Sequence, residues 1–395
     1  MDTWMGDRLK ALRDRRLCDL VLPGTHDSAA FQLMSPSPLP VKHVKDRVIA
    51  FVARWFPKLV AGFTLAQHLT IAEQLSAGVR FLDLRVSLAA NGDFVLTHTF
   101  ACVPLSEVLQ QTVAFLAEKC SEVVLVSLSA DWEHREAFAE QGVTSRALEL
   151  VSGVCFDHLF PPPCACESPD LPTLGAMVDR GRRLMVFSHL PQPESKSNPH
   201  KPLTTQPGKA LVWPGAYNWS LWANSDTPVG TVEGLLRMVA EQRSSGLLPP
   251  ATDATPGHAK EDPAPPTPPP PPPSQQPAVW HLSVAVTPSV ASITRSILLD
   301  PRHAGLRSLA ARLEALLPRL LGEGLAGVTG LCLDHPSPEA VAAVVGLNDG
   351  PRWACAGPEG ARAGSEGAHG DGGRAGGGRE AGGGGEGRVG CGCCG

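Results

Sequence analysis

Residues 79–86 read VRFLDLRV, and this stretch decides the fold. Strand alternation puts Asp83 and Arg85 on one face and Leu82, Leu84 and Val86 on the other. An acid and a base two residues apart on a buried strand need a reason, and an internal ion pair closing a barrel layer is the structural one. Their position argues for chemistry. They stand toward the carboxyl end of the strand, where barrel enzymes collect reactive groups, and a short NGD turn leads to a second strand ending in His98. Upstream, DLVLPGTHDSAAF runs apolar into a glycine-containing turn that presents His26, Asp27 and Ser28. A lone histidine is usually structural. Two at neighbouring strand ends, with Asp and Arg beside them, suit an acid/base pair around an anion.

Outward from this stretch, residues 20 to 249 alternate short apolar runs with amphipathic segments of helical period, the habit of repeated βα units. Candidate strands are DLVLPG, VRFLDLRV, FVLTH, EVVLVSLS, RLMVFS and ALVWP. After residue 279, VWHLSVAVTP, the helical LRSLAARLEALLPRLL and the strand-like VTGLCLD resume the pattern. The fold class expected is α/β, a distorted (β/α)8 barrel over residues 1–354. Residues 250–279, with six consecutive prolines from Pro268 to Pro273, form an insertion suited to polyproline II and unable to join a sheet. A plain spacer or a ligand for an SH3 or WW module are its two readings. Residues 355–395 are mostly glycine with arginine, glutamate and alanine, too poor in apolar groups to offset the entropy of ordering.

The 40 Gly and 38 Pro are above average usage and form blocks in those appendages, while 43% apolar residues suffice for a large core. A formal charge of −5 and a single Tyr argue against a nucleic-acid partner. Eleven cysteines without regular spacing argue for reduced thiols. With no signal-peptide core and no long apolar run, the expected location is cytoplasmic. Two features suit a peripheral membrane contact. Val41 to Phe63 mixes Lys42, Lys45, Arg47, Arg54 and Lys58 with Phe51, Trp55 and Phe56, although an ordinary amphipathic helix covering the barrel is the commoner explanation of such a stretch. The terminal GCGCCG offers Cys391, Cys393 and Cys394 for S-acylation, although a low-complexity tail explains that too.

Several motifs in order resemble the phosphatidylinositol-specific phospholipase C X-domain proteins: LPGTHDS at 22–28, TLAQHLTIAEQLSAGVRFLDLRVSL at 64–88, FVLTHTF at 94–100, EVVLVSLS at 122–129, WPGAYNWSLWANSDT at 213–227 and GLCLDHPSPEAVAAVVGLN at 330–348. The resemblance implies cleavage of phosphatidylinositol-type lipids to diacylglycerol and an inositol cyclic phosphate at a membrane surface. It makes His26 the general base and His98 the general acid, with Asp334 orienting His26, Asp27 supporting His98, and Asp83 and Arg85 completing the catalytic set. Calcium-dependent members of the family carry acidic residues on this strand pair, whereas this chain has Arg85 and Asp27 like the bacterial enzymes. No metal and no cofactor are therefore expected. Ser129 and His189 stand where bacterial members carry cationic headgroup-binding residues, and Asp131, Trp222 and Asn224 complete the candidate substrate rim. A non-catalytic phosphoinositide- or protein-binding member of the same fold is the alternative.

Overall fold

The computed structural model describes residues 1–34, 39, 51, 54–140, 142–163, 171–191, 203–206, 209–248, 279–288, 305–322 and 325–350. The proline run, the glycine-rich tail with its three cysteines, and Lys42, Lys45 and Arg47 lie outside the described residues.

Eleven strands follow in chain order: β1 (Leu22–Thr25), β2 (Phe81–Leu88), β3 (Phe94–His98), β4 (Phe100–Pro104), β5 (Val124–Ala130), β6 (Leu184–Ser188), β7 (Leu203–Gln206), β8 (Lys209–Pro214), β9 (Asn218–Trp222), β10 (Val279–Val284) and β11 (Gly330–Leu333). Eight of them pair in parallel in the order β8-β6-β5-β2-β1-β11-β10-β9, a nearly closed α/β barrel. Among the described residues no ladder joins β8 to β9. The three-residue turn Gly215–Tyr217 connects them without a covering helix, which is where the barrel is distorted. Elsewhere helices intervene as βα units require, including Leu105–Glu118, Val143–Cys155, Pro228–Ser244, Leu306–Glu314 and Pro338–Gly346.

Alternation on β2 holds as the sequence demands. Leu82, Leu84 and Val86 join the outer cluster under helices Leu105–Glu118 and Val143–Cys155. Phe81, on the opposite face with Asp83 and Arg85, packs with Leu22, Leu125, Met185, Phe187, Trp213 and Cys332 at the barrel floor. Gly24 is required there, because a Cβ would stand 2.9 Å from Cys332 Sγ and 3.1 Å from Phe81 Cβ. The floor is tied to the amino terminus by a fully buried ion pair, with Arg80 Nη2 2.6 Å from Glu122 Oε2 while Glu122 also accepts the Gly6 N–H at 2.8 Å.

Three strands were not legible from alternation. β4 continues FVLTH past Thr99, whose left-handed backbone (φ 65°) turns the chain back antiparallel onto β3. β7 is a short antiparallel strand on β8. β9 lies in NWSLW, where a tryptophan-rich run obscures the alternation.

Candidate active site

His26 leaves the end of β1 and Asp334 follows β11, so their parallel register brings both to one mouth of the barrel, while β3 returns antiparallel along β2 to set its last residue, His98, beside them. The chain bends sharply at each: Asp27 (φ 43°), Thr99 (φ 65°) and His335 (φ 41°) adopt left-handed backbone, at a cost of roughly 1–3 kcal/mol apiece. Buried hydrogen bonds hold them there. Gln67 Nε2 donates to the carbonyls of His26 (2.8 Å) and Leu333 (2.9 Å), clamping β1 to β11. Gln74 Nε2 donates to the Ser28 carbonyl while its Oε1 accepts from Thr25 Oγ1. The Ser28 hydroxyl accepts the Asp83 N–H at 2.9 Å. Both glutamines are about 1% exposed, and sequence reading passed over them because an amphipathic segment normally turns such residues to water.

Around this frame the side chains converge. His26 Nδ1 lies 3.0 Å from Asp334 Oδ1, and its Nε2 accepts from Arg85 Nη2 at 2.8 Å in the neutral tautomer. Arg85 Nε is 2.8 Å from Asp27 Oδ1, while Asp27 Oδ2 faces both His26 Nε2 (3.4 Å) and His98 Nε2 (3.5 Å). Neither Asp27 oxygen receives a well-aimed hydrogen bond, although the residue is only 2% exposed. His98 donates from Nδ1 to the Thr64 carbonyl at 2.7 Å, leaving Nε2 toward the site, and the two imidazole centroids stand 6.4 Å apart.

The electrostatics follow from this arrangement. Burial works against a charged His26, yet the carboxylates of Asp27 and Asp334 outweigh it and raise its pKa to about 9. Burial also opposes charge on Asp27, but the guanidinium beside it holds that carboxyl below its ordinary range. Asp83, buried next to Asp27, is pushed up instead, so of the two carboxyls Asp27 carries the charge and Asp83 more readily keeps a proton. His26, Asp27 and Asp83 bring donor atoms within 4.8 Å of one another, and the Arg85 guanidinium reaches two of the three.

A family model described as PI-PLC X 1 matches residues 59–199, spanning β2 to β6. Human PI-PLC X domain-containing protein 2 is 27% identical over 248 residues, 62% of this chain and 73% of that protein. Human PI-PLC X domain-containing protein 1 is 26% identical over 253 residues, 62% and 69% respectively. Residues 59–199 thus match the PI-PLC X model, and the chain is similar to PI-PLC X domain-containing proteins over most of its barrel. Among solved structures, a phosphatidylinositol-specific phospholipase C from Listeria monocytogenes superposes on 89% of this chain and 99% of its own, with a TM-score of 0.54 at 16% identity. One from Staphylococcus aureus gives 0.51 over 87% and 96%, also at 16% identity. These likenesses establish the X-domain barrel as phospholipase C-like in architecture.

The rim residues expected of this X domain scatter more widely than the catalytic set. Ser129 pairs in register with Arg85 and sits beside it on β5, its hydroxyl 3.5 Å from the Leu84 carbonyl. Asp131 is committed to local structure. It accepts from Thr97 Oγ1 (2.6 Å) and caps the following turn through the Glu133 N–H (2.8 Å), and despite burial these bonds with that of His134 lower it to about 2. His189 is half-buried, and its partial desolvation lowers it to about 4. It is joined through Asn218 to His281, itself lowered to about 3 by burial, in a chain of 3.3 Å and 2.9 Å contacts that the sequence did not announce. Trp222 is 41% exposed. Asn224 lines a separate cavity of about 680 Å³ beside helix Pro228–Ser244, together with Asp226, Glu233 and Arg237.

Proposed function

We propose that the chain is a phosphodiesterase of the phospholipase C type that cleaves phosphatidylinositol-type lipids by histidine acid-base catalysis without a metal. The observation that carries this reading is the convergence of His26 Nε2, His98 Nε2 and Arg85 on the two oxygens of one buried carboxylate, Asp27. A base, an acid and a fixed cation within one charge-balanced cluster are what intramolecular attack on a phosphodiester requires.

His26, neutral at Nε2 and donating from Nδ1 to Asp334, takes the proton of the inositol 2-hydroxyl. The freed oxygen attacks phosphorus, closing the cyclic phosphate as the bond to the diacylglycerol oxygen breaks. His98, fixed by the Thr64 carbonyl, gives its Nε2 proton to that leaving oxygen. Arg85 turns from His26 Nε2 to the phosphoryl oxygens, and its planar fork matches them as a point charge would not. The guanidinium stands where a hard cation would need open carboxylate ligands, and this supports metal independence.

The membrane surface is where such a lipid is met. Phe51 and Trp55, each 65% exposed, and Phe56, 61% exposed, precede helix Pro57–Thr64, whose last carbonyl holds His98. Aromatics so exposed beside Arg54 and Lys58 suit an anionic bilayer. The test is turnover of phosphatidylinositol vesicles by the full chain in excess chelator, following diacylglycerol and cyclic inositol phosphate. Chelator-resistant cleavage abolished by His26→Ala and by Arg85→Ala supports the reading. Absence of turnover on phosphatidylinositol and on its phosphorylated and glycosylated relatives replaces it with the binding alternative.

A further inference from the structure

Behind the catalytic pair lies a second pair of histidines that the reaction does not use. His68 and His335 face each other with Nδ1 atoms 3.3 Å apart and ring centroids 5.4 Å apart. His335 is rigidly placed: its backbone N–H donates to the Ala66 carbonyl (3.0 Å) and its Nε2–H to the Leu65 carbonyl (2.8 Å), with left-handed backbone between β11 and the next helix. A proton on Nε2 leaves a lone pair on His335 Nδ1, so in the free protein His68 supplies the proton shared between the rings. His68 is exposed and its ring opens to solvent.

The 3.3 Å spacing is also the edge of a tetrahedron drawn around an ion with metal–nitrogen bonds of ~2.0–2.1 Å, which is about 3.3–3.4 Å long. We propose that His68 and His335 form an open, two-imidazole binding site for Zn²⁺ or a similar borderline transition-metal ion, with water completing the coordination. Binding needs only a tautomer change, in which the His68 proton moves from Nδ1 to the solvent-facing Nε2, and no net proton is released. The bond from His335 Nε2–H to the Leu65 carbonyl is the outer hydrogen bond that metal-bound histidines ordinarily make. Imidazole donors select zinc-class ions over Mg²⁺ and Ca²⁺.

The charges facing the pair set its strength. Arg307 opposes a cation at both rings, whereas Glu73 near His68 and Asp334 near His335 favour one. An occupied site would pin the segment carrying Leu65, next to the carbonyl that holds His98, against His335, next to the carboxylate that holds His26. The site therefore adjoins the residues that hold both catalytic histidines, and it does not depend on the lipid reading.

The experiment is calorimetric titration of the full chain with zinc chloride, for wild type and the variants His68→Ala, His335→Gln, Arg307→Ala and His26→Ala. The expected result is one equivalent of zinc that His68→Ala and His335→Gln both lose and His26→Ala keeps, with Arg307→Ala binding several-fold more tightly. The exposed His68 makes its alanine variant safe for folding, so that variant decides. Zinc binding by His68→Ala with wild-type stoichiometry and affinity overturns the proposal.

Discussion

Asp334→Asn is the substitution that reports most directly on how the site is charged. In the wild type, His26 titrates at about 9 against an ordinary value of 6.5, which is worth roughly 3.4 kcal/mol at 1.36 kcal/mol per pH unit. Burial opposes that gain, and Asp27 and Asp334 supply it, Asp334 through a direct 3.0 Å bond to Nδ1. The side chains of His26 and Asp334 are 8% and 5% exposed, so solvent screens the pair little. Losing one of the two carboxylates therefore lowers the His26 pKa by at least about one pH unit. Because the base must be neutral, kcat/KM rises with pH through the His26 pKa, and in the variant that acid limb moves at least about one unit toward neutrality. The plateau falls as well, by about 10²–10⁴, since an amide neither fixes the Nδ1–H tautomer nor stabilises the imidazolium formed in the transition state. A group whose folded pKa is raised contributes stability below its unfolded value and loses it as pH climbs through the folded one. The melting difference between wild type and variant is therefore largest near neutral pH and shrinks toward pH 9. The assay is initial rate against pH on phosphatidylinositol vesicles, and an acid limb that stays in place when Asp334 becomes Asn refutes the assigned electrostatics.

Other substitutions test separate links. Arg85→Lys keeps the charge but loses the planar fork that spans His26 and Asp27, so turnover in chelator drops by about 10²–10³ while the melting temperature changes little. Glu122→Gln strands Arg80, which is 0% exposed, and costs about 3–5 kcal/mol in denaturant unfolding with no selective effect on the mouth of the barrel. Gly24→Ala forces a methyl against Cys332 Sγ and Phe81, costing about 1–3 kcal/mol by the same measurement.

Much of the barrel was legible because its strands obey period two. On β2 the apolar face and the Asp83/Arg85 face separate cleanly, and the histidines at 26 and 98 announce themselves as polar groups at strand ends. What stayed hidden depends on pairing across distant parts of the chain. Gln67 and Gln74 look like ordinary surface residues of a short helix, and only the return of β11 beside β1 turns them into clamps. The Thr64 carbonyl that fixes His98 carries no side-chain signature at all. β9 was obscured because Trp219 and Trp222 are half exposed, so apolar residues fall on the wrong face for a simple alternation. Asp131, expected at the headgroup rim, also caps the turn after β5, a local role that its place at a strand end did not reveal in the sequence.

The division of labour between the two histidines is the central claim, and a change of leaving group tests it. His26→Ala and His98→Ala would each be assayed on phosphatidylinositol and on an inositol phosphodiester whose aryl leaving group departs without a proton. The account predicts that both variants fail on the lipid, that His98→Ala recovers most of its rate on the aryl ester, and that His26→Ala does not. Equal losses for His98→Ala on the two substrates, or recovery by His26→Ala, would contradict it.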